Sequence, residues 1–420
     1  MASSIINIHA SMDELPYKIA WNRTFDGVGS DYGSCVAVAS HGIYLAGKTS
    51  DPGDGDLNAF VAKYAFDGTQ GWNRTWGGAN DEDVSGLATA TDGVYMVGDT
   101  KDFGAGGRDA FIIKYGTDGI IRWNHTWGGI NDDHARGVAV AADGVYLVGY
   151  TYSFGVGLMD AFIVKYNAAG IQQWNHTWGG ANVDAGNGVA VGIDGVYMAG
   201  ETASSGAGSY DAFIAKYSAT GSQLWNRTWG GIDSDYGNDI ASCNNEIYLA
   251  GRTHSFGAGN YNAFIAKYNA TGSQLWNRTW GGSDYDDGSS VAAIPGGVYL
   301  AGFTYSYGAG ACDAFFTKYN AAGSQLWNRT WGDEFDDFGL DVAAVTDVVY
   351  LAGEKQVSGG SIYEAFLVKW VSQATDGDIP PGNTSVPGAP AWLVLTVVLV
   401  VLPVLVRRVV DRRPRAEVTG

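Results

Sequence analysis

The tetrapeptide Trp-Asn-(Arg/His)-Thr, followed by an aromatic residue, begins at Trp21 and returns at Trp72, Trp123, Trp174, Trp225, Trp276 and Trp327. Each copy starts 51 residues after the last, without an insertion or deletion. A period of this size, filled with short apolar runs and glycine turns, is the mark of similar β units set in a ring.

The second copy shows what one unit contains. Trp72 to Trp76 alternates, Val84 to Ala90 is small and apolar, Val94 to Gly98 carries Tyr95, and Ala110 to Tyr115 reads Ala-Phe-Ile-Ile-Lys-Tyr. Four such runs, with no helical period between them, predict one four-stranded antiparallel blade. Asp92-Gly93 and Asp118-Gly119 sit where hairpins need a residue tolerant of positive φ. The predicted fold is therefore all-β: a seven-bladed β-propeller over residues 17–370.

Link lengths orient the blade. About ten residues, such as Gly77 to Gly86, join the Trp-Asn-x-Thr strand to the next Val-Ala-Val run, whereas a tighter turn precedes it. An outermost strand must send its chain back across three strand spacings, roughly 14 Å, so the long link predicts that Trp-Asn-x-Thr is outermost. The strand at Trp21 would then join a last blade built from residues 342–345, 349–353 and 365–370, and the two chain ends would lock the ring. A closure with the motif innermost is the alternative. The outermost placement puts the long, variable links on one face, including Asn80 to Asp83, Asp284 to Asp287 and Asp333 to Asp337. That face is where recognition is expected, and the copies differ mainly in their loop tips.

The run Asp313-Ala-Phe-Phe-Thr-Lys-Tyr, then Ala-Ala-Gly-Ser-Gln-Leu-Trp327 and Trp331-Gly, with Gly-Val-Tyr-Leu-Ala-Gly at 297–302, resembles the repeat family known as SBBP repeats. The resemblance spans residues 17–370. It implies a seven-bladed propeller and a surface location, and it carries no catalytic residue.

The formal charge of −19 speaks against nucleic acid, because phosphate binding needs a basic face. Cys35, Cys243 and Cys312 occupy three different places in the repeat and form no metal or disulfide framework, so small buried residues are expected. The acidic loops bring up calcium, which takes six to eight oxygen ligands. Asp233 with Asp235, and Asp284 with Asp286 and Asp287, are the weak metal candidates; solvated acidic turns are the plainer account, and no other cofactor is implied. No GxSxG, HExxH or phosphate loop occurs, and the six histidines form no triad-like grouping, so an enzyme is not expected.

Every copy of the motif is also an Asn-x-Thr sequon. Asn22, Asn73, Asn124, Asn175, Asn226, Asn277 and Asn328 are glycosylation candidates, joined by Asn269 and Asn383. Strand alternation sets each of the seven opposite its tryptophans, so on an outer strand they would face solvent. A single inherited sequon, multiplied with the repeat, is the competing account. Lysines recur at 63, 114, 165, 216, 267, 318 and 369, and a structural role is expected of them.

Residues 1–16 read as a lead-in without lysine or arginine, and no secretory signal is visible in them. Beyond the ring, residues 371–390 form a proline- and glycine-rich linker. Residues 391–410 are predicted as one transmembrane helix, and residues 411–420 as a basic cytoplasmic tail. Arginines from Arg407 onward favour a single-pass cell-membrane protein with its propeller outside; a tail-anchored cytoplasmic protein is the rival. The sequence thus points to a membrane-anchored surface module for binding, adhesion or envelope scaffolding. Its partner would be a protein or glycan. A glycan-active or other hydrolytic propeller is the second functional class.

Overall fold

The computed structural model describes residues 17–25, 29–50, 56–357 and 362–372. Its strands form seven four-stranded antiparallel sheets, so the predicted propeller is present. Blade 2 is typical, with strands Glu82–Ala90, Gly93–Thr100, Asp109–Gly116 and Ile121–Trp127 in that spatial order. The first strand of each blade abuts the first strands of both neighbours, which places it at the axis. The Trp-Asn-x-Thr strand is fourth and outermost, as its long exit link requires.

The ring closes in the predicted way. Tyr17–Phe25 pairs antiparallel with Tyr363–Ser372, with Trp21 opposite Lys369 and Phe25 opposite Ala365. The last blade therefore holds Asp337–Val345, Val348–Gln356 and Tyr363–Ser372 plus the first strand of the chain. The closure with the motif innermost is excluded.

The second and third strands are nearly all apolar because blades stack face to face, leaving neither side to water. Tyr44, Ala59 and Val61 of blade 1 interlock with Val94, Met96, Phe111 and Ile113 of blade 2, and Trp72 and Trp76 cover the layer from the rim. Each fully buried side chain of this kind contributes about 1.5–3 kcal/mol.

Polar locks join the blades at the rim. Trp72 Nε1 and Lys63 Nζ both donate to the carbonyl of Thr117 in the next blade, at 3.0 and 3.1 Å. Trp174 and Lys165 share Ala219, Trp225 and Lys216 share Ala270, and Trp276 and Lys267 share Ala321 in the same way. Arg74 Nε donates to the carbonyl of Gly119, two residues on. Gly119 has φ +75°, and a Cβ there would lie 2.7 Å from the Trp72 ring, so the turn needs glycine on two counts.

Every recurring lysine also lies over the tyrosine of its own second strand, Lys114 over Tyr95 at 5.3 Å for instance. Four of them pair with an acid at the adjacent hairpin: Lys114, Lys165 and Lys216 with a turn aspartate, and Lys267 with Glu246, which opens the second strand. Their structural role is thereby plain. Among the described residues no helix is long and apolar enough to cross a membrane, and the predicted helix at 391–410 lies outside them.

Candidate functional site

The axis is where the repeats stop being alike. In all seven innermost strands the register slips by a β-bulge, at the third residue after the acid that opens the strand. A bulge leaves its residue outside the ladder and re-aims the side chain. Here it aims Ser34, Ser85, Arg136, Asn187, Asn238, Ser289 and Leu340 into an axial cavity of about 150 Å³. Four residue types of different size, polarity and charge thus share one structural position.

A wider cavity of about 620 Å³ continues from it toward the long-link face, reaching Tyr152 and Met159 in the link before the third strand of blade 3. Its wall includes Asp83, Arg136, Tyr150, Asn187, Glu201 and Arg252. Tyr150, Glu201 and Arg252 hold one repeat position, next to the end of the second strand.

These groups are tied together rather than loose. Asn187 Nδ2 donates to Glu201 and to the carbonyl of Gly237 in the next blade. Asn238 Nδ2 donates to Asp287 Oδ1 at 2.6 Å, and Arg252 Nη1 holds the other oxygen of that carboxylate at 2.8 Å. Arg252 also stacks 4.3 Å above the Tyr236 ring. Arg136 Nη2 donates to the Tyr150 hydroxyl at 2.9 Å, and the residue lines both cavities. Burial pushes the Glu201 carboxyl up to about 7, against the pull of the Asn187 amide and of Arg252 and Arg136. Burial likewise brings Glu354 to about 7, opposed by Lys48 and reinforced by Asp83.

A run of aromatic rings passes beneath Arg252 of the cavity wall, which lies over Tyr236 and Tyr261. Tyr210, Tyr236, Tyr261, Tyr285, Phe303 and Phe338 follow one another with centroid separations of 5.2, 6.0, 5.4, 5.9 and 5.2 Å. All six are half-buried.

Deeper in, the residue after the bulge is glycine in three consecutive blades, Gly86, Gly137 and Gly188, and polar on the opposite side. There Ser290 Oγ lies 3.0 Å from Asp239 Oδ2 and 2.7 Å from Asp341 Oδ1. Its single proton serves two carboxylates. Burial, with the Asp341 charge adding to it, raises Asp239 to about 6 despite hydrogen bonds from the Val291 and Ile240 amides. Asp341 Oδ2 accepts from the Val36 amide at 2.7 Å, carrying the network across the ring closure.

The metal candidates fall into different roles. Asp235 and Asp286 are buried structural acids, each bound by the threonine ending its second strand, a serine two residues on, and a loop amide. Asp287 belongs to the axial network. Asp233 and Asp284 are exposed loop residues. Among the described residues no group of three or more His, Cys, Asp or Glu side chains is placed to hold a metal ion. The seven rim asparagines, Asn22 through Asn328, are exposed as alternation predicts. Asn269 is instead engaged in a turn, accepting from the amides of Thr271 and Ser273. Asn383 lies outside the described residues. Cys35 and Cys312 are buried and Cys243 is half-buried, all three free.

The expectation that copies differ mainly at loop tips needs correcting. The larger chemical differences stand at the bulge and at the second-strand position beside it. Reading the repeat by column would have found them, because the acid three residues before the bulge, and the glycine and threonine that flank the second-strand position, recur almost without change.

No known family profile matches the chain. A curated relative, the regulatory protein FlaEY of Caulobacter vibrioides, is 22% identical over 267 residues, 50% of this chain but 28% of that protein, so the chain spans under a third of its length. Among solved structures, the WD40 β-propeller domain of Doa1 aligns at 13% identity over 84% of this chain and 96% of its own, with a TM-score of 0.49. The polysaccharide lyase Uly1 aligns at 10% identity over 87% and 94%, also at 0.49. The phage phi92 endosialidase gives 11%, 88%, 71% and 0.47.

Proposed function

We propose that the protein is a surface-displayed, membrane-anchored propeller that binds a glycan in its axial cavity from the long-link face. The observation that carries this reading is the wall of the 620 Å³ cavity, where a guanidinium, an amide and carboxylates converge. Sugars are bound by such groups, which meet their hydroxyls in pairs, together with aromatic faces that pack on their C–H surfaces. The aromatic run beside Arg252 would supply those faces. The anchor and outward orientation rest on the apolar run at 391–406 and the arginines that follow it. The resemblance to SBBP repeats supports a surface setting.

The ring closes with its own strands, so residues 17–372 are a suitable unit for a glycan-array screen. Binding that is lost in Arg136→Met and in Glu201→Gln, with melting unchanged, is the expected result. An array on which the intact ring binds nothing, or binding indifferent to both changes, would sink the proposal. Protease treatment of intact cells tests the orientation, because an outward propeller is cleaved and an inward one is shielded.

Glu201 motivates a second reading, a glycan-cleaving enzyme. A carboxyl that titrates near 7 in a cavity with other carboxylates is suited to general acid catalysis. Products released from array-positive glycans would favour it; unchanged glycans after prolonged incubation would remove it.

A further inference from the structure

The charged groups around the axial cavities largely neutralise one another. Asp83 faces Lys48 Nζ at 3.2 Å, and the Asp287 carboxylate is held by Arg252 and Asn238. Glu201 accepts from Asn187, and burial pushes its carboxyl up to about 7, so at neutral pH it carries only part of a charge. Arg136 is left over. The acids whose charges reach it, Asp99 and Asp83, are already bound, Asp99 by Arg108 and His134 and Asp83 by Lys48. Its guanidinium lies 5.1 Å from the centre of the Tyr150 ring and donates to that hydroxyl, but among the described residues it pairs with no carboxylate.

Two hydroxyls stand beside it in the ring of bulges. Ser34, Ser85 and Arg136 occupy the bulges of three consecutive blades, and all three line both cavities. Among the described residues neither serine hydroxyl has a hydrogen-bond partner. Gly86 and Gly137, which follow two of these bulges, leave the narrow cavity without a side chain there. Its carboxylates lie elsewhere on the ring, Asp239 in blade 5 and Asp341 in blade 7, where they share the Ser290 proton and accept from backbone amides. The cavity is thus polarised, with free donors and an unpaired positive charge toward blades 2 and 3 and acceptors toward blades 5 and 7.

We propose that the arc of Ser34, Ser85 and Arg136 holds the carboxylate of an acidic sugar, so that the ligand of the axial cavity is a glycan bearing a uronic-acid residue; this rests on the glycan reading above and narrows it. A guanidinium meets both carboxylate oxygens with parallel N–H donors, and the two hydroxyls add further ones. The sugar's own hydroxyls, which donate as well as accept, suit the Asp239 and Asp341 side. The rest of the molecule sets a limit. With a net charge of −19 the protein repels a polyanion at long range, whereas a single carboxylate meets the guanidinium at contact distance, well inside the screening length. The site therefore fits one acidic residue in an otherwise neutral chain.

Carboxyl reduction of the glycans that the full chain binds on an array tests this, with free glucuronate and glucose as competitors. The native forms should bind roughly tenfold tighter than their reduced, neutral counterparts, and glucuronate should displace them where glucose does not. Arg136→Met should bring the two forms to equal affinity by weakening the acidic one. Arg136→Lys, which keeps the charge without the fork, should retain part of the preference, and Ser85→Ala should weaken the acidic form alone. Bound glycans that carry no carboxylate, or a preference that survives Arg136→Met, would overturn the assignment while leaving the glycan reading in place. Sulfated glycans bound more tightly than uronates would overturn it as well, by giving the arc to a tetrahedral anion. An array without any bound glycan removes both readings together.

Discussion

The rim and the axis of this ring are built from the same repeat and obey opposite rules. At the rim, residues at one position do one thing: Trp72, Trp174 and Trp276 all donate to a carbonyl of the next blade. At the axis, Ser85, Arg136, Asn187 and Leu340 share one bulge position and present four different chemistries to the cavity. Ring closure demands equal wedges, so substitutions at the rim strain geometry everywhere. The axis is a space that side chains fill without bearing on the angle between blades. Sameness there carries no structural benefit, and variety can be put to use.

The contrast breaks most completely at the clasp. Deleting residues 1–25 removes the outer strand of the last blade and leaves Tyr363–Ser372 as an open edge. We expect the cooperative thermal transition to be lost and the protein to aggregate, as seen by calorimetry and size exclusion. An unchanged transition would mean that the rim does not hold the ring.

Next in size is a single rim anchor. Trp280 is 8% exposed and stacks 3.9 Å from Phe315 of the next blade. Trp280→Ala should cost about 3–5 kcal/mol in denaturant unfolding. By contrast, Arg136→Met, in a solvent-reached cavity, should move stability by about 0.5–1 kcal/mol while weakening ligand binding roughly tenfold or more. Should the two changes cost the same stability, the division between a structural rim and a functional axis fails.

How much of this was legible follows the same division. The rim could be read because alternation and link length act directly on it: Trp72 and Asn73 fall on opposite faces, and ten residues are needed to return to the axis. The axial site could not be read from alternation, because a bulge breaks the period of two at the residue that matters. Past Val84 the in-out pattern assigns Ser85 and Gly86 wrongly unless the slip is known. The acids misled for a related reason. Asp235 and Asp286 end links that look ion-binding, yet they open strands and their oxygens are taken by hydroxyls and a link amide.

The axis should also set the pH dependence. Glu201 and Glu354 at about 7 and Asp239 and Asp337 at about 6 all lie above their unfolded values near 4. A raised folded pKa contributes stability that is full below the unfolded pKa and is lost as pH rises through the folded one. Melting temperature should therefore fall from pH 5 to pH 8, and Asp239→Asn should flatten part of that fall. Asp81 and Asp92, both held low by lysine partners, act in the opposite sense and lose their contribution as pH drops below about 4. A melting temperature that climbs between pH 5 and 8 would show the axial acids to be ionised at no cost.

The smallest effect concerns acids shared by rim and axis. Asp211, at the start of a third strand, and Asp235, at the start of the next first strand, both crowd Gly230: a Cβ there would lie 2.1 Å from Asp211 Oδ1 and 2.7 Å from Asp235 Oδ2. Burial raises Asp211, and the Asp235 charge adds to it, while amides including that of Gly208 pull the other way. Two blades already carry asparagine at this position, Asn58 beside Glu82 and Asn262 before Asp286. An amide keeps the acceptor that the Gly208 N–H needs and removes one of two facing charges. Asp211→Asn should thus raise the melting temperature by roughly a degree or two at pH 8. The gain should vanish near pH 3, where the parent carboxyl is itself neutral in both states. A gain independent of pH would trace the effect to packing, and a loss at pH 8 would mean that the second carboxylate is required at this junction.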